Sequence, residues 1–165
     1  MPAKLDPLRK ELIFQLNGGH AHAPLEKVVA GLPAKLQGVV PEGVPHSGWQ
    51  LLEHLRIAQA DILEFCSRKN YREKQWPDDY WPRDTTPPNS RAWNASVHQI
   101  RADREQFIKL ISNSKADLFA PLAWGEGQTL FHEACLIIDH NAYHLGEMVM
   151  VRHLLGAWPP NKTKS

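Results

Sequence analysis

Apolar residues recur three and four apart in four stretches of the chain, the repeat that gives a helix one buried face. The first stretch opens at Asp6-Pro7, an N-cap followed by proline at the first helical position, and carries Leu8, Leu12, Ile13 and Leu16. It falters at Asn17-Gly18-Gly19 and resumes over about 23–32. Each of two adjacent glycines costs a helix about 1 kcal/mol relative to alanine, so a kink or break is expected there. The second stretch is announced by Ser47-Gly48-Trp49-Gln50, which has capping-box form, and continues through Leu51, Leu52, Leu55, Ala58, Ile62 and Phe65 to an end between Ser67 and Asn70. The third covers about 89–111 with Trp93, Val97, Ile100, Phe107 and Ile111 on one face. The fourth starts from Thr129 as N-cap and runs to about Leu155, where Gly156 and then Pro159-Pro160 stop it.

Two connections between these stretches are long. Residues 71–88 hold Pro77, Pro82, Pro87 and Pro88 among Trp76, Tyr80 and Trp81, a proline density that excludes a regular helix. An ordered aromatic loop of this length either serves as a lid or packs on the helices through its own rings. The segment 115–128 forms the second connection. Four amphipathic helices without a convincing strand predict an all-α fold, a four-helix bundle with a long aromatic and proline-rich loop between helices 2 and 3. Neither a repeat nor a linker divides the chain. A single domain over residues 1–165 is expected, with a short disordered tail from about 160.

Composition narrows the function classes. Lys plus Arg number 19 and Asp plus Glu 18, a net charge of +1, which leaves no electrostatic footprint for nucleic acid or an anionic membrane. No apolar run reaches the roughly 18 residues a membrane span needs. The N-terminus lacks the basic start and apolar run of a signal peptide. Cys66 and Cys135 stand alone in apolar helical contexts and read as free thiols in a reducing compartment, so the protein is expected in the cytoplasm. The unusual counts are nine His and six Trp.

The chemistry gathers in Asp139-His140-Asn141-Ala142-Tyr143-His144-Leu145-Gly146-Glu147. His140 and His144 are four apart, which sets both imidazoles on one helical face, about 5–6 Å between Cβ atoms. Leu136, Ile137, Met148 and Val151 around them are apolar, so that face points inward, where a neutral imidazole needs a hydrogen-bond partner or a metal ion. His54, in the first turns of the second helix among core-facing residues, is a third imidazole that can converge on the same ion. Glu53, Asp139 and Tyr143 are candidates to accept the remaining N–H of a ligating His, although for Glu53 and Asp139 the simpler reading is a solvated helix face. His20 and His22, beside the Gly18-Gly19 break, are either acid/base groups aimed at the interior or surface residues at a helix end. His46 precedes the second helix and can face the same mouth. His98, His132 and His153 are expected in solvated or interhelical positions.

Two motifs carry a family resemblance. Trp49 to Ile57 is similar to the W-x-x-x-E-H-L second helix, and His140 to Glu147 to the H-x-x-x-H-x-G-Q/E fourth helix, of the DinB/YfiT-like superfamily of small bacterial metal-binding proteins. The resemblance implies a four-helix bundle with a long crossover, often a homodimer, and a divalent metal, commonly nickel or zinc, held by His54, His140 and His144. Relatives often carry His-Arg where this chain has His144-Leu145, and Gln where it has Glu147. Glu147, one turn past His144, is placed to reach the ion or take a proton. The Gly18-Gly19-His20-Ala21-His22 stretch looks like the mark of a narrower subgroup. Three neutral imidazoles leave open positions on an ion, the pattern of a catalytic site. Two enzyme classes are thereby implied: a hydrolase that activates water, and a transferase that acts through a low-molecular-weight thiol. Glu147, His20 or His22 would move protons, and Trp76, Tyr80 and Trp81 would cover a small apolar substrate. A metal-binding or stress-response protein without turnover is the alternative.

Overall fold

The computed structural model describes residues 6–160 apart from Lys69; the expected tail from about 160 falls almost wholly outside them. Six helices follow in order: α1 (Pro7–Leu16), α2 (Leu25–Val29), α3 (Ala34–Gln37), α4 (Gly48–Ser67), α5 (Ala92–Ser112) and α6 (Leu130–Leu154). The fold is all-α, with one isolated bridge between Pro121 and Thr129 and no strand among the described residues.

The caps fall where the side chains dictate. The Asp6 carboxylate accepts from the Arg9 amide, Ser47 and Gln50 form a reciprocal capping box, and the Thr129 hydroxyl accepts from the His132 amide. After Leu16 the chain turns through Gly18 and Gly19, both at positive φ (104° and 49°), a backbone region that glycine enters without steric cost. What resumes is not one helix over 23–32 but the short α2 followed by α3.

α4 packs against both α5 and α6, and α1 against the same two. The directions follow from the cross-links. Glu53 accepts from the Ser96 hydroxyl and the Gln59 amide donates to the Ile100 carbonyl, so α4 and α5 run the same way. The Asn141 amide donates to Gln59 Oε1, and His54 meets His144, so α6 runs opposite to α4. A parallel pair needs a connection that travels the length of a helix, about 30 Å for the twenty residues of α4. Residues 68–91 supply that crossover. They return to the start of α4, where the Ser47 hydroxyl donates to the Thr85 carbonyl and Thr86 lies so close to Gly38 that a Cβ there would clash with its methyl.

Two apolar clusters form the core. One joins Leu51, Leu52, Leu55, Trp93, Val97, Met148 and Val151 with α2; the other joins Leu12, Leu16, Leu63, Phe107, Ile111 and Ile137. Between them lies a polar belt that includes Gln59 and Asn141.

Arg152, fully buried, ties α2 and the turn after α6 together. Its guanidinium donates to the carbonyls of Val28, Ala30 and Ala157 and lies 5.4 Å from the Trp158 ring centroid. Replacing it with a residue that fills the space without donating orphans the buried Val28 carbonyl and removes the donor from the part-buried carbonyls of Ala30 and Ala157. Arg152→Met is therefore expected to lower unfolding free energy by about 3 kcal/mol or more, read from urea titration. A loss below about 0.5 kcal/mol contradicts this role for the guanidinium.

Candidate metal centre

His54 projects from the second turn of α4, and His140 and His144 from adjacent turns of α6. The antiparallel packing of these helices brings the three rings together. His54 Nε2 lies 3.0 Å from His140 Nε2 and 3.1 Å from His144 Nε2, and one nitrogen from each ring falls within 4.8 Å of the others. His54 and His144 are buried and His140 is half-buried.

The groups behind the rings decide which nitrogen carries hydrogen. His54 Nδ1 is 2.9 Å from the Tyr80 carbonyl oxygen, which can only accept, so Nδ1–H donates and Nε2 presents its lone pair. His144 Nδ1 donates likewise to Glu147 Oε2 at 2.6 Å, which turns its Nε2 lone pair toward His54. Two lone pairs 3.1 Å apart repel unless a cation lies between them. Protons do not serve near neutral pH. Burial first, then the neighbouring imidazoles, pushes both His140 and His144 down to about 4, and burial lowers His54 as well.

A divalent ion fits the donor set. Imidazole–metal bonds of about 2.0–2.1 Å place neighbouring nitrogens about 2.9–3.4 Å apart, between octahedral and tetrahedral angles. The two short separations lie inside that range. Both rings with assigned tautomers also have the oxygen acceptor behind them that ligating histidines usually have.

The crossover closes over this cluster. Trp81 stacks on His54 with ring centroids 3.9 Å apart and planes 4° from parallel, and stacks at 3.9 Å with His46 too. Tyr80 gives its carbonyl to His54 and its hydroxyl to Asp61 at 2.6 Å. The loop thus covers one side of the site and packs by its own aromatics at once. A cavity of about 680 Å³ lies between α4, α6 and the crossover itself, lined by His54 and His140 together with Trp76 and Trp124.

The chain belongs to the DinB superfamily, whose sequence profile matches residues 20–148. No curated protein and no solved structure matches it. Membership and the clustered histidines agree in pointing to residues able to hold a metal ion. Among the described residues no helix is long and apolar enough to cross a membrane.

The structure brings His54, His140 and His144 together and sets Glu147 behind His144, on Nδ1 rather than on the converging Nε2 side. It does not bring in His20 or His22. His20 is exposed and packs edge-on against Phe14 at 4.8 Å, and His22 is exposed with Nδ1 3.0 Å from the Ala23 carbonyl oxygen. Glu53, expected as an acceptor for a ligating His, instead receives Arg56 and Ser96. Asp139 is exposed and makes no side-chain hydrogen bond among the described residues; Tyr143 is 65% exposed and only touches the edge of His144. The acceptor that sequence reasoning missed is the Tyr80 carbonyl, a backbone group with no residue signature.

Two outcomes follow from this geometry. Glu147→Gln removes the charged acceptor behind His144 and should weaken zinc affinity about ten- to a hundredfold in chelator competition; unchanged affinity contradicts the positioning role. The pH dependence has a definite sign. His140 and His144 bind protons near 6.5 when unfolded but only near 4 when folded, so the unfolded chain holds more protons across that window. The metal-free protein should lose stability as pH falls from 6.5 towards 4, and the His140→Gln/His144→Gln variant should lose less over the same range. Equal slopes in the two proteins contradict the depressed values.

Proposed function

We propose that the chain is a four-helix-bundle enzyme in which His54, His140 and His144 hold one divalent metal, zinc or nickel, that serves hydrolysis or transfer to a small thiol. The observation that carries the proposal is the convergence of three Nε2 positions, two of them with lone pairs fixed by oxygen acceptors, where His54 and His140 line a large cavity. A structural zinc site saturates four protein ligands, whereas three imidazoles beside a cavity leave room for a reactant. When bound, the ion supplies positive charge and open positions that acidify water or a thiol presented to it.

The protein's own groups do the rest. The Tyr80 carbonyl and Glu147 hold His54 and His144 in the tautomers that keep Nε2 free, so no ring has to reorient before binding. Trp81 seals the face of His54 against water. The cavity between α4 and α6 receives the substrate against apolar and aromatic walls. Glu147, engaged with His144, acts as a positioning residue. His20 and His22 take no part.

The test is turnover of a panel of aryl esters, aryl amides and thiol-acceptor pairs by zinc-loaded, nickel-loaded and chelator-stripped protein. At least one reaction should proceed with metal, stop on stripping, return on reloading, and fall to background in His54→Ala and His140→Ala. Metal retention by those variants, or no reaction with metal fully bound, contradicts the proposal.

A further inference from the structure

The cavity beyond the histidines has a charge pattern that the metal reading does not use. Along α4 it is lined by His54, Ala58, Asp61, Ile62 and Phe65, one face of the helix, and along α6 by Glu133, Leu136 and His140. Asp61 follows His54 by seven residues and Glu133 precedes His140 by seven, and the helices are antiparallel. The two carboxylates therefore share a level about 10 Å, two helical turns, from the imidazoles.

These carboxylates differ in how they are satisfied. Asp61 accepts from the hydroxyls of Tyr71 (3.0 Å) and Tyr80 (2.6 Å). Glu133 is only 4% exposed, lines the cavity, and has no hydrogen bond or ion pair to its side chain among the described residues. Burial and the nearby Asp61 charge both raise its pKa, with His132 working the other way. A buried carboxylate beside a second one must take either a proton or a positive partner, and among the described residues no Lys or Arg lines the cavity. Glu73 and Glu126 add negative charge, and Trp76, Trp124 and Tyr71 are aromatic lining residues of the kind that attract organic cations. The chemistry required is a positive charge on an apolar body. Glu133 and Asp61 offer only two carboxylates, fewer than the ligands a second metal ion needs, which favours an organic ammonium.

Building on the reading of this cavity as the substrate's approach, we propose that it selects a substrate with an ammonium group about two helical turns from the reacting bond, held by Glu133 beside Asp61, and that it rejects carboxylate-bearing analogues. Glu133 is the specificity-determining residue, and the aromatic walls take the apolar body.

The experiment uses three matched probes, 4-phenylbutylammonium, 4-phenylbutanol and 4-phenylbutyrate, titrated calorimetrically into zinc-loaded and chelator-stripped protein. The ammonium should bind at least tenfold more tightly than the alcohol in both forms, with the carboxylate weakest. Glu133→Gln should remove that preference while leaving alcohol binding and zinc content unchanged. Equal binding of ammonium and alcohol by the unaltered protein overturns the proposal without any variant, as does a preference that survives Glu133→Gln. Failure to retain zinc, with the ammonium preference intact, counts against the metal reading alone; zinc retained with no preference counts against this proposal alone.

Discussion

The antiparallel packing of α4 on α6 is the constraint on which the site rests. It turns one His in the second turn of α4 and an i, i+4 His pair on α6 into three nitrogens that face one another, His54 standing 3.0 and 3.1 Å from the other two. Three neutral imidazoles so placed are an unfavourable arrangement for a protein to maintain alone. Burial keeps them uncharged, and the acceptors behind His54 and His144 point lone pairs inward. A cation relieves both costs at once, which is why the histidine geometry carries more weight than the spacing of the residues in the chain.

The direction of α5 explains the long proline-rich segment. Because α4 and α5 run parallel, the chain must cross back over the bundle, and that crossover passes the histidines. Tyr80 and Trp81 use the passage to tie the loop to His54 from two directions, by a carbonyl and by a stacked indole. Topology thus supplies both the covering of the site and one of the groups that orient it. The same crossover, through Tyr71, Trp76 and Tyr80, also walls part of the acidic, aromatic cavity.

Much of this was legible in the residues. The Asp6, Ser47 and Thr129 caps located the starts of α1, α4 and α6, because capping is a local hydrogen-bonding requirement. The His140/His144 pair followed from helical spacing, and His54 from its apolar neighbourhood. The failures are equally physical. Glu53 is by sequence a candidate acceptor or, more simply, a solvated helix position; it is neither, because consecutive helix positions face different neighbours and Glu53 turns, buried, to Ser96 on α5. His20 and His22 were read against a kinked helix. Gly18 and Gly19 instead turn the chain out at positive φ and leave both rings exposed. The Tyr80 carbonyl, the buried Arg152 and the Asp61–Glu133 pairing depend on which elements meet, and no periodicity along a single segment encodes that.

The most direct test of the central claim is X-ray absorption at the metal edge of protein loaded with one equivalent of zinc. The account predicts three imidazole nitrogens at about 2.0–2.1 Å, with the outer-shell scattering of histidine rings and one or more further light-atom ligands. A sulfur shell, or a first shell with fewer than two imidazoles, would contradict it.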